Sequence, residues 1–377
     1  MIKAYSKGKL CSYKWSKFFQ LLNILVPLYM DYLKGRGAQI KTGNRFMKNE
    51  YVTEHIEGLD EEMASALTTQ IFQDTPKKIV NKVDSPDLGM MYSMNPYQGC
   101  EHGCVYCYAR NTHEYYGFSA GLDFESKIIV KKNAAVLLEQ HLLQKNWNAV
   151  PIMLSGNTDC YQPQEKEFEL TRSMLKVLAR YRHPVSIITK NSLILRDIDL
   201  LADLASESLV HVMISITTLD EDLRRKMEPR TATSLKRMKV VEELNKAGIP
   251  TGIMNAPIIP GLNHHEIPAI SQMASEHGAV EVGMTVVRLN GAIAKIFEDW
   301  LRKNFPDRFE KVWNQICDLH GGDVHDSMFG RRMRGEGNLA AIIHQLFKTS
   351  KRKYFEGRGF PPYDLTQFRK GGNLSLF

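Results

Sequence analysis

The segment NPYQGCEHGCVYCYAR, residues 95–110, carries three cysteines within eight residues, at positions 100, 104 and 107. The spacing C-x3-C-x2-C is too tight for thiols on a regular helix or strand to surround one centre. The segment is therefore predicted to be a loop wrapped around a compact metal centre. Gly99 and Gly103 give that loop its backbone freedom. Thiolates select zinc, copper(I) or iron–sulfur clusters.

Two kinds of metal centre fit the three cysteines. A structural zinc ion requires a fourth ligand, which His102 or His113 could supply. No second Cys or His pair follows at zinc-finger spacing. A four-iron cluster held by three cysteines instead leaves one iron open to bind a further molecule, as catalysis requires.

The sequence on either side alternates between two patterns. Short apolar runs rich in β-branched residues predict strands at 91–97, 127–130, 152–157, 185–189, 210–217, 251–259 and 280–288. Amphipathic stretches between them predict helices at 167–181, 198–206, 234–247 and 265–277. Buried strands alternating with helices form a parallel sheet covered by helices. The prediction is an α/β fold, a partial (β/α)6-type parallel barrel with N- and C-terminal helical extensions; an open doubly wound sheet is the alternative.

Composition limits the class of protein. The chain has 377 residues, 43% of them hydrophobic and 24% charged, which is ordinary for a globular protein. No apolar run approaches 18 residues, so we expect no membrane-spanning helix and no membrane partner. Three scattered cysteines beside one tight cluster do not resemble a disulfide framework. They indicate metal ligands in a reducing cytoplasm.

The net charge of +7 comes mainly from the N-terminus. Residues 1–29 hold five lysines and no acids, and the remainder has 44 basic against 42 acidic side chains. We interpret residues 1–29 as a leader or mis-assigned start, with Met30 as the initiator. The predicted divisions are then a 30–89 extension, a 90–290 core and a 291–377 helical, basic extension.

The C-terminal extension has its own pattern. Residues 331–370 contain ten Lys or Arg against three acids, interleaved with six aromatic residues. A basic stretch with aromatic residues can follow a phosphate backbone while the rings stack on bases. The alternative is that the charges form a solvated face and the rings form the core of a C-terminal cap.

The cysteine motif and the segments around it resemble the radical S-adenosylmethionine (SAM) superfamily. That superfamily has an aromatic residue just before the last cysteine, and Tyr106 occupies this position. The segments SGNTDCYQPQEKEFELTR, SIITKNSLILRDIDLL, MISITTLDEDLRRKMEPRTA and NAPIIPGLNHHE resemble the branch related to spore photoproduct lyase, often described as DNA-repair-photolyase-like. The resemblance covers roughly residues 90–290. The segment GRGAQIKTGNRF, which follows Met30, also resembles one uncharacterised subgroup of that branch.

The resemblance implies the cofactors and the reaction. Cys100, Cys104 and Cys107 would bind a [4Fe–4S] cluster. SAM would bind the open iron and be cleaved by one electron into methionine and a 5′-deoxyadenosyl radical, which abstracts hydrogen from a substrate. The electron would come from a reductant such as flavodoxin or ferredoxin.

The resemblance also implies SAM contacts at the ends of the core strands. The predicted contacts are Tyr106, Ser155, Asn157, Thr158, Asp159, Thr189, Lys190, Ser215 and Arg230. Lys190 would pair with the methionyl carboxylate. Asn191 stands where the family has a serine. Each of these residues also has an ordinary structural interpretation, since Thr and Asp after a strand commonly cap helices.

Cys160 is a candidate catalytic residue because a thiol beside the reaction chamber could return a hydrogen atom to a product radical. The family's cysteine precedes its equivalent of Asp159, whereas Cys160 follows it. Buried cysteines are usually inert. We therefore keep both interpretations of Cys160.

Two classes of function follow from these patterns. The first is a radical SAM enzyme of lyase type, with a nucleic acid lesion as one candidate substrate. The second is a non-catalytic nucleic-acid-binding protein with a structural metal at the same cysteines. An electron-transfer protein is a third interpretation.

Overall fold

The computed structural model describes residues 32–47 and 68–371. The predicted leader, residues 1–29, lies outside them. Strands β1–β10 in this part of the chain are Gln70–Gln73, Val80–Lys82, Tyr92–Met94, Tyr97–Gln98, Lys127–Val130, Ile152–Leu154, Val185–Thr189, Val210–Ser215, Thr251–Ile258 and Val282–Val286. Helices α1–α12 are Leu122–Ser126, Ala134–Leu142, Glu165–Phe168, Leu170–Tyr181, Ile198–Ser206, Glu221–Met227, Ser234–Lys246, Ile267–Glu276, Ala292–Asn304, Phe309–Leu319, Arg331–Arg334 and Gly337–Phe355.

Six parallel strands form the predicted partial barrel. They are ordered β3-β6-β7-β8-β9-β10, and β2 adds an antiparallel strand beside β3. The first residues of β6, β7 and β8 are in register, since Ile152 pairs with Val185 and Val185 with Val210. Parallel neighbours need a crossover, and helices supply it, as the alternating pattern predicted. The barrel prediction is confirmed.

One predicted strand belongs to a different sheet. Lys127–Val130 (β5) pairs with β1 in parallel and with β4 antiparallel, outside the barrel. Its apolar, β-branched residues form a strand as predicted, but such a pattern does not specify the partner strand. The pairing of β5 with Tyr97–Gln98 (β4) fixes the segment that connects β3 to the cysteine loop.

Helices agree with the predictions best where the apolar period is regular. α5 has the predicted bounds, and α7 ends one residue early, before Gly248 at φ 75°. The sequence pattern of residues 292–320 predicts one helical stretch, but the structure has two helices there, α9 and α10, because Pro306 interrupts it. The long helix α12 packs against the core through Ala340, Ile343 and Phe355.

The C-terminal aromatic residues close one end of the barrel. The rings of Phe360 and Tyr363 stack on His211 near the start of β8, with centroids 4.4 and 3.9 Å away. The Tyr363 hydroxyl donates to the carbonyl of Val185, the first residue of β7. Phe368 meets the His183 ring at 5.3 Å. Of the two interpretations of this stretch, the structure favours the cap, because these rings are packed against the protein.

The described residues from Gly35 onward form one compact unit. The predicted divisions at residues 90 and 290 stay predictions. Within the described residues, no helix is both long and apolar enough to cross a membrane.

Candidate active site

The three clustered cysteines lie together on one cavity. Cys100, Cys104 and Cys107 line a cavity of about 310 Å³. The loop that carries them turns through two left-handed glycines, Gly99 at φ 79° and Gly103 at φ 68°. At Gly103 a Cβ would lie 2.8 Å from Glu125 Oε2, so a larger residue would displace a buried carboxylate. The loop conformation therefore depends on these two glycines.

A buried ion pair supports the cysteine loop from behind. Arg110 pairs with Glu125, and both side chains are fully buried. The Arg110 Nε also donates to the Cys104 carbonyl at 2.9 Å. Glu125 accepts the backbone N–H groups of Gly37 and Ala38 at 3.0 and 2.8 Å. The N-terminal segment is thus tied to the cysteine loop, an arrangement that the sequence pattern did not reveal.

The cavity lies at the carboxyl ends of the barrel strands, as the loop positions predicted. It is bounded by the ends of β6 to β10 and by the cysteine loop. Of the predicted SAM contacts, those that line it are Tyr106, Ser155, Asn157, Thr158, Asp159, Thr189, Lys190 and Ser215.

The donor set of the cavity fits an iron–sulfur cluster. Burial raises the pKa of the Cys104 thiol to about 12, and Glu228 adds to the rise while Lys190 and Arg110 oppose it. Burial likewise raises the pKa of Cys100 and Cys107. Buried thiolates are costly unless a cationic centre binds them, and a cluster is such a centre. Among residues 32–47 and 68–371, no three Cys, His, Asp or Glu side chains already converge on a single-ion site. The fit therefore rests on the shared cavity and the thiol chemistry.

Of the two histidines considered as a fourth zinc ligand, His102 lines the cavity with the cysteines and His113 does not, and each has other neighbours. His102 Nδ1 lies 3.3 Å from Asp159, and its Nε2 lies 3.3 Å from the Asn191 amide. His113 packs between the rings of Phe118 and Phe124, and burial lowers its pKa to about 4. Both imidazoles are thus engaged in local packing or hydrogen bonding.

Asp159 organises the ends of β6 and β7. Its carboxylate accepts the Thr189 hydroxyl at 2.7 Å, the Lys190 backbone N–H at 2.9 Å and the Tyr161 N–H at 2.9 Å. Burial opposes its ionisation, but His102 and these hydrogen bonds outweigh burial and lower the pKa of Asp159 to about 2. The Asp159 carboxylate and the Thr189 hydroxyl are thus both engaged in hydrogen bonds within the protein, so the structure gives both a strong positioning role.

A second buried carboxylate lies beside Lys190. Glu228 is fully buried, pairs with Arg237 at 2.5 Å and accepts the hydroxyls of Thr217 and Tyr106. Burial opposes its ionisation, yet Arg237 and Lys190 lower the pKa of Glu228 to about 2. The Tyr106 ring is therefore fixed by its hydroxyl on the wall of the cavity.

Lys190 presents a cation to this cavity. Its Nζ lies 5.9 Å from the centre of the Tyr106 ring and has no hydrogen-bond or ion-pair partner within the described residues. Burial lowers its pKa, but Cys104 and Glu228 raise it more, so the net shift is upward. The ammonium is therefore charged and available to a ligand.

The turn after β6 shapes one side of the cavity. Ser155 adopts φ 77° and accepts the Cys160 N–H at 2.7 Å. The Thr158 hydroxyl donates to the Tyr97 carbonyl at 2.7 Å. The Asn157 side chain donates to Gln98 at 3.1 Å and Thr112 at 3.2 Å. These side chains line the cavity while holding the turn.

Two predicted site residues lie away from the cavity. Arg230 bonds to Glu101 and to the Gly35 carbonyl, both at 3.1 Å, and does not line the cavity. Cys160 is fully buried in the hydrophobic core, and burial raises its pKa well above the ordinary value. The structure therefore does not support Cys160 as a hydrogen donor. Its neighbour Asp159 faces the cavity and Cys160 faces the core.

The sequence reasoning missed several residues of the cavity wall. The remaining wall contains Tyr108 and Arg288 together with apolar side chains from Met90, Met153, Met254 and Met333. Arg288 could have been found, because it ends the predicted strand 280–288 at the same edge as Lys190. Met333 comes from the C-terminal extension, and no sequence signal links that segment to the barrel mouth.

Comparison with known proteins agrees with this fold. The sequence pattern of the Radical SAM superfamily matches residues 94–274. An uncharacterised protein of Mycobacterium tuberculosis is 34% identical over 235 residues, covering 61% of this chain and 69% of that protein. An uncharacterised protein of Methanocaldococcus jannaschii is 30% identical over 249 residues, covering 66% of this chain and 88% of that protein.

A solved structure with a similar fold is a spore photoproduct lyase complexed with a dinucleoside spore photoproduct. It gives a TM-score of 0.55 at 15% identity, over 80% of this chain and 86% of that chain. A double mutant of spore photoproduct lyase, solved with bound AdoMet and the dinucleoside spore photoproduct, gives the same values. At this identity the likeness shows a shared fold.

Proposed function

This chain belongs to the radical SAM superfamily and is an enzyme using a [4Fe–4S] cluster and SAM; from that premise we propose that Cys100, Cys104 and Cys107 bind the cluster and that the cavity around them is the active site. The observation that carries this proposal is that all three thiols line one cavity at the carboxyl ends of the strands, together with Lys190, whose ammonium has no partner within the described residues. A cluster held by these thiolates would supply the electron for the reductive cleavage of SAM, the chemistry by which enzymes of this superfamily abstract hydrogen from a substrate.

Lys190 is proposed to bind the methionyl carboxylate of SAM. Its ammonium lines the cavity and lacks a protein partner among the described residues, so a ligand carboxylate would satisfy it. Asp159 would position Lys190 through the backbone N–H, and Glu228 would keep it charged. The Ser215 and Asn157 side chains remain candidate contacts for the polar groups of SAM.

Tyr106 is proposed to pack against the adenosyl part of SAM. Its hydroxyl is held by Glu228 and lies 3.2 Å from Thr217, which leaves the ring face as its contribution to the cavity. The same cavity is also lined by apolar side chains, among them Met153. Apolar side chains exclude water from the cavity, and a water-free site prevents side reactions of a reactive intermediate.

We propose a lyase- or repair-type reaction, with a nucleic acid lesion as the first substrate to test. The support is the fold shared with spore photoproduct lyase, solved with a dinucleoside photoproduct. A one-electron reductant such as flavodoxin or ferredoxin would complete the system. We expect it to work in the cytoplasm, where thiols stay reduced.

Anaerobic turnover tests the proposal. The protein is reconstituted with iron and sulfide, reduced, and incubated with SAM, and 5′-deoxyadenosine is measured. We expect product from the parent and from Cys317→Ala, whose thiol lies in α10 and does not line the cavity. Cys104→Ala should give none. Bound zinc without product, or equal product from Cys104→Ala, would contradict the proposal.

A further inference from the structure

Arg288 presents a second unpaired cation to the cavity. It lies two residues beyond β10, and its guanidinium carbon is 5.4 Å from the centre of the Tyr108 ring. Within the described residues it makes no hydrogen bond or ion pair, although it lines the cavity. Three fully or nearly buried arginines in the same structure, Arg110, Arg224 and Arg237, each make several hydrogen bonds.

The nearby carboxylate does not satisfy Arg288. Asp87 accepts the Arg332 Nε at 2.6 Å and the Gly330 N–H at 2.6 Å. Burial lowers the pKa of Arg288; Tyr108 and the more distant Asp87 oppose this, and Arg332 lowers the pKa further. A guanidinium nevertheless stays protonated at neutral pH, so the cavity holds a partly buried positive charge to which no carboxylate of the described residues is hydrogen-bonded. Such a charge is stabilised when an anion bonds it in the paired geometry that guanidinium favours.

SAM cannot account for both cations of the cavity wall. Lys190 and Arg288 are the two Lys or Arg side chains among the described residues that line it. They follow β7 and β10, which are separated in the sheet by β8 and β9. SAM carries one carboxylate, which the proposed function assigns to Lys190. The Arg288 end is thus left for a second anion.

The rest of this end favours an apolar or unsaturated group beside that anion. The Tyr108 ring lies against Arg288, and its hydroxyl donates to the Gly156 carbonyl at 2.7 Å, which fixes the ring. Met254 and Met333 line the same cavity. Aromatic and thioether side chains pack against flat or apolar ligand groups.

We propose that Arg288 anchors an oxyanion of the substrate, a phosphate or carboxylate carried by a molecule whose adjoining part is apolar or unsaturated. This inference rests on the proposed function, since it assumes that SAM occupies the Lys190 end. It makes Arg288 a specificity-determining residue: neutral substrates of the same shape bind less tightly.

Calorimetry on the reconstituted, SAM-loaded protein tests the inference, with phenyl phosphate, benzoate and neutral benzyl alcohol as probes. The parent should bind at least one of the two anions more tightly than benzyl alcohol. Arg288→Gln should weaken that binding about tenfold or more, because a charge-assisted hydrogen bond is lost. Arg225→Gln, which alters an exposed arginine of α6, should leave binding unchanged. Preference for phenyl phosphate over benzoate would identify a phosphate substrate, and the reverse a carboxylate.

The dissociation constant of SAM separates this inference from the proposed function. Arg288→Gln should leave SAM binding within about twofold of the parent. If SAM binding weakens with anion binding, Arg288 belongs to the SAM site and the inference is overturned. Absence of anion binding by the parent, or equal anion binding by Arg288→Gln, also overturns it. Failure of the proposed function would instead appear as a parent without cluster or SAM binding.

Discussion

The two ends of the barrel differ in whether their polar and charged side chains have hydrogen-bond or packing partners within the protein. At the carboxyl end, Lys190 and Arg288 point charged groups into a cavity without protein partners among the described residues. At the opposite end, His211 is stacked against two aromatic rings and bonds the Pro361 carbonyl at 2.8 Å. The closed end and the helices around it supply stability, and the open end retains groups that only a ligand can satisfy. Functional sites commonly accept such a local cost.

Phe355→Ala should separate the two ends most clearly, because it should lower the free energy of unfolding and leave SAM binding unchanged. Phe355 ends α12 and is buried in the main core. Removing its ring should lower the free energy of unfolding by about 3–5 kcal/mol. Ile342→Ala, on the exposed face of the same helix, should change it by less than about 0.5 kcal/mol. Urea denaturation measures both, and the SAM dissociation constant of the refolded Phe355→Ala protein should equal that of the parent. A parallel loss of SAM affinity would show that the two ends are coupled.

Lys190→Met should have the opposite effect, on SAM affinity rather than on the free energy of unfolding. Removing the ammonium leaves a bound carboxylate without its cation, so SAM affinity should fall by about thirtyfold to a thousandfold. Lys239→Met, which alters an exposed lysine of α7, should bind SAM like the parent. Titration calorimetry on reconstituted protein measures both. Unchanged SAM affinity in Lys190→Met would remove Lys190 from the site and leave Arg288 as the alternative cation.

Acid should destabilise the closed end more than the open end, because the buried His183 is held neutral in the folded protein. This imidazole is fully buried against Trp147, and burial lowers its pKa to about 3. The unfolded chain takes up this proton near pH 6.5 and the folded chain only near pH 3, so acid favours unfolding between these values. The parent should lose about 2–3 kcal/mol of unfolding free energy from this group between pH 6.5 and 4.5.

Two variants isolate the histidine contribution. His183→Gln should lose about 2–3 kcal/mol less than the parent across the same pH range, whatever its stability at neutral pH. His265→Gln alters an exposed histidine and should follow the parent. Denaturation at several pH values gives these slopes. Parallel slopes for the parent and His183→Gln would show that folding does not lower the pKa of His183.

Local elements of the fold were predictable because their signals are local. α5 and β7 have the predicted bounds, since a regular apolar period defines each of them. The cysteine loop was equally readable, because its ligands and glycines lie within nine residues. The partner strands of β5 could not be predicted, because strand pairing depends on contacts that the strand's own residues do not encode.

The site was predictable to the extent that strand ends converge. This principle predicts that Lys190 and Ser215 lie at one site with the cysteines, and all of them line one cavity. It could not separate Asp159 from Cys160, because adjacent residues in a turn face different sides. Nor could it reveal Glu125, whose partners Gly37 and Ala38 are 88 and 87 residues away in the chain. Long-range polar contacts of this kind leave no periodic signal.

The most direct test of the open end is electron paramagnetic resonance of the reduced, reconstituted protein, recorded with and without SAM. The account predicts the signal of a reduced four-iron cluster that changes when SAM is added, because three cysteines leave one iron open to it. Cys107→Ser should lose this SAM-dependent signal. A cluster signal that SAM does not alter, or zinc in place of iron, would contradict the assignment of the cavity as a radical SAM active site.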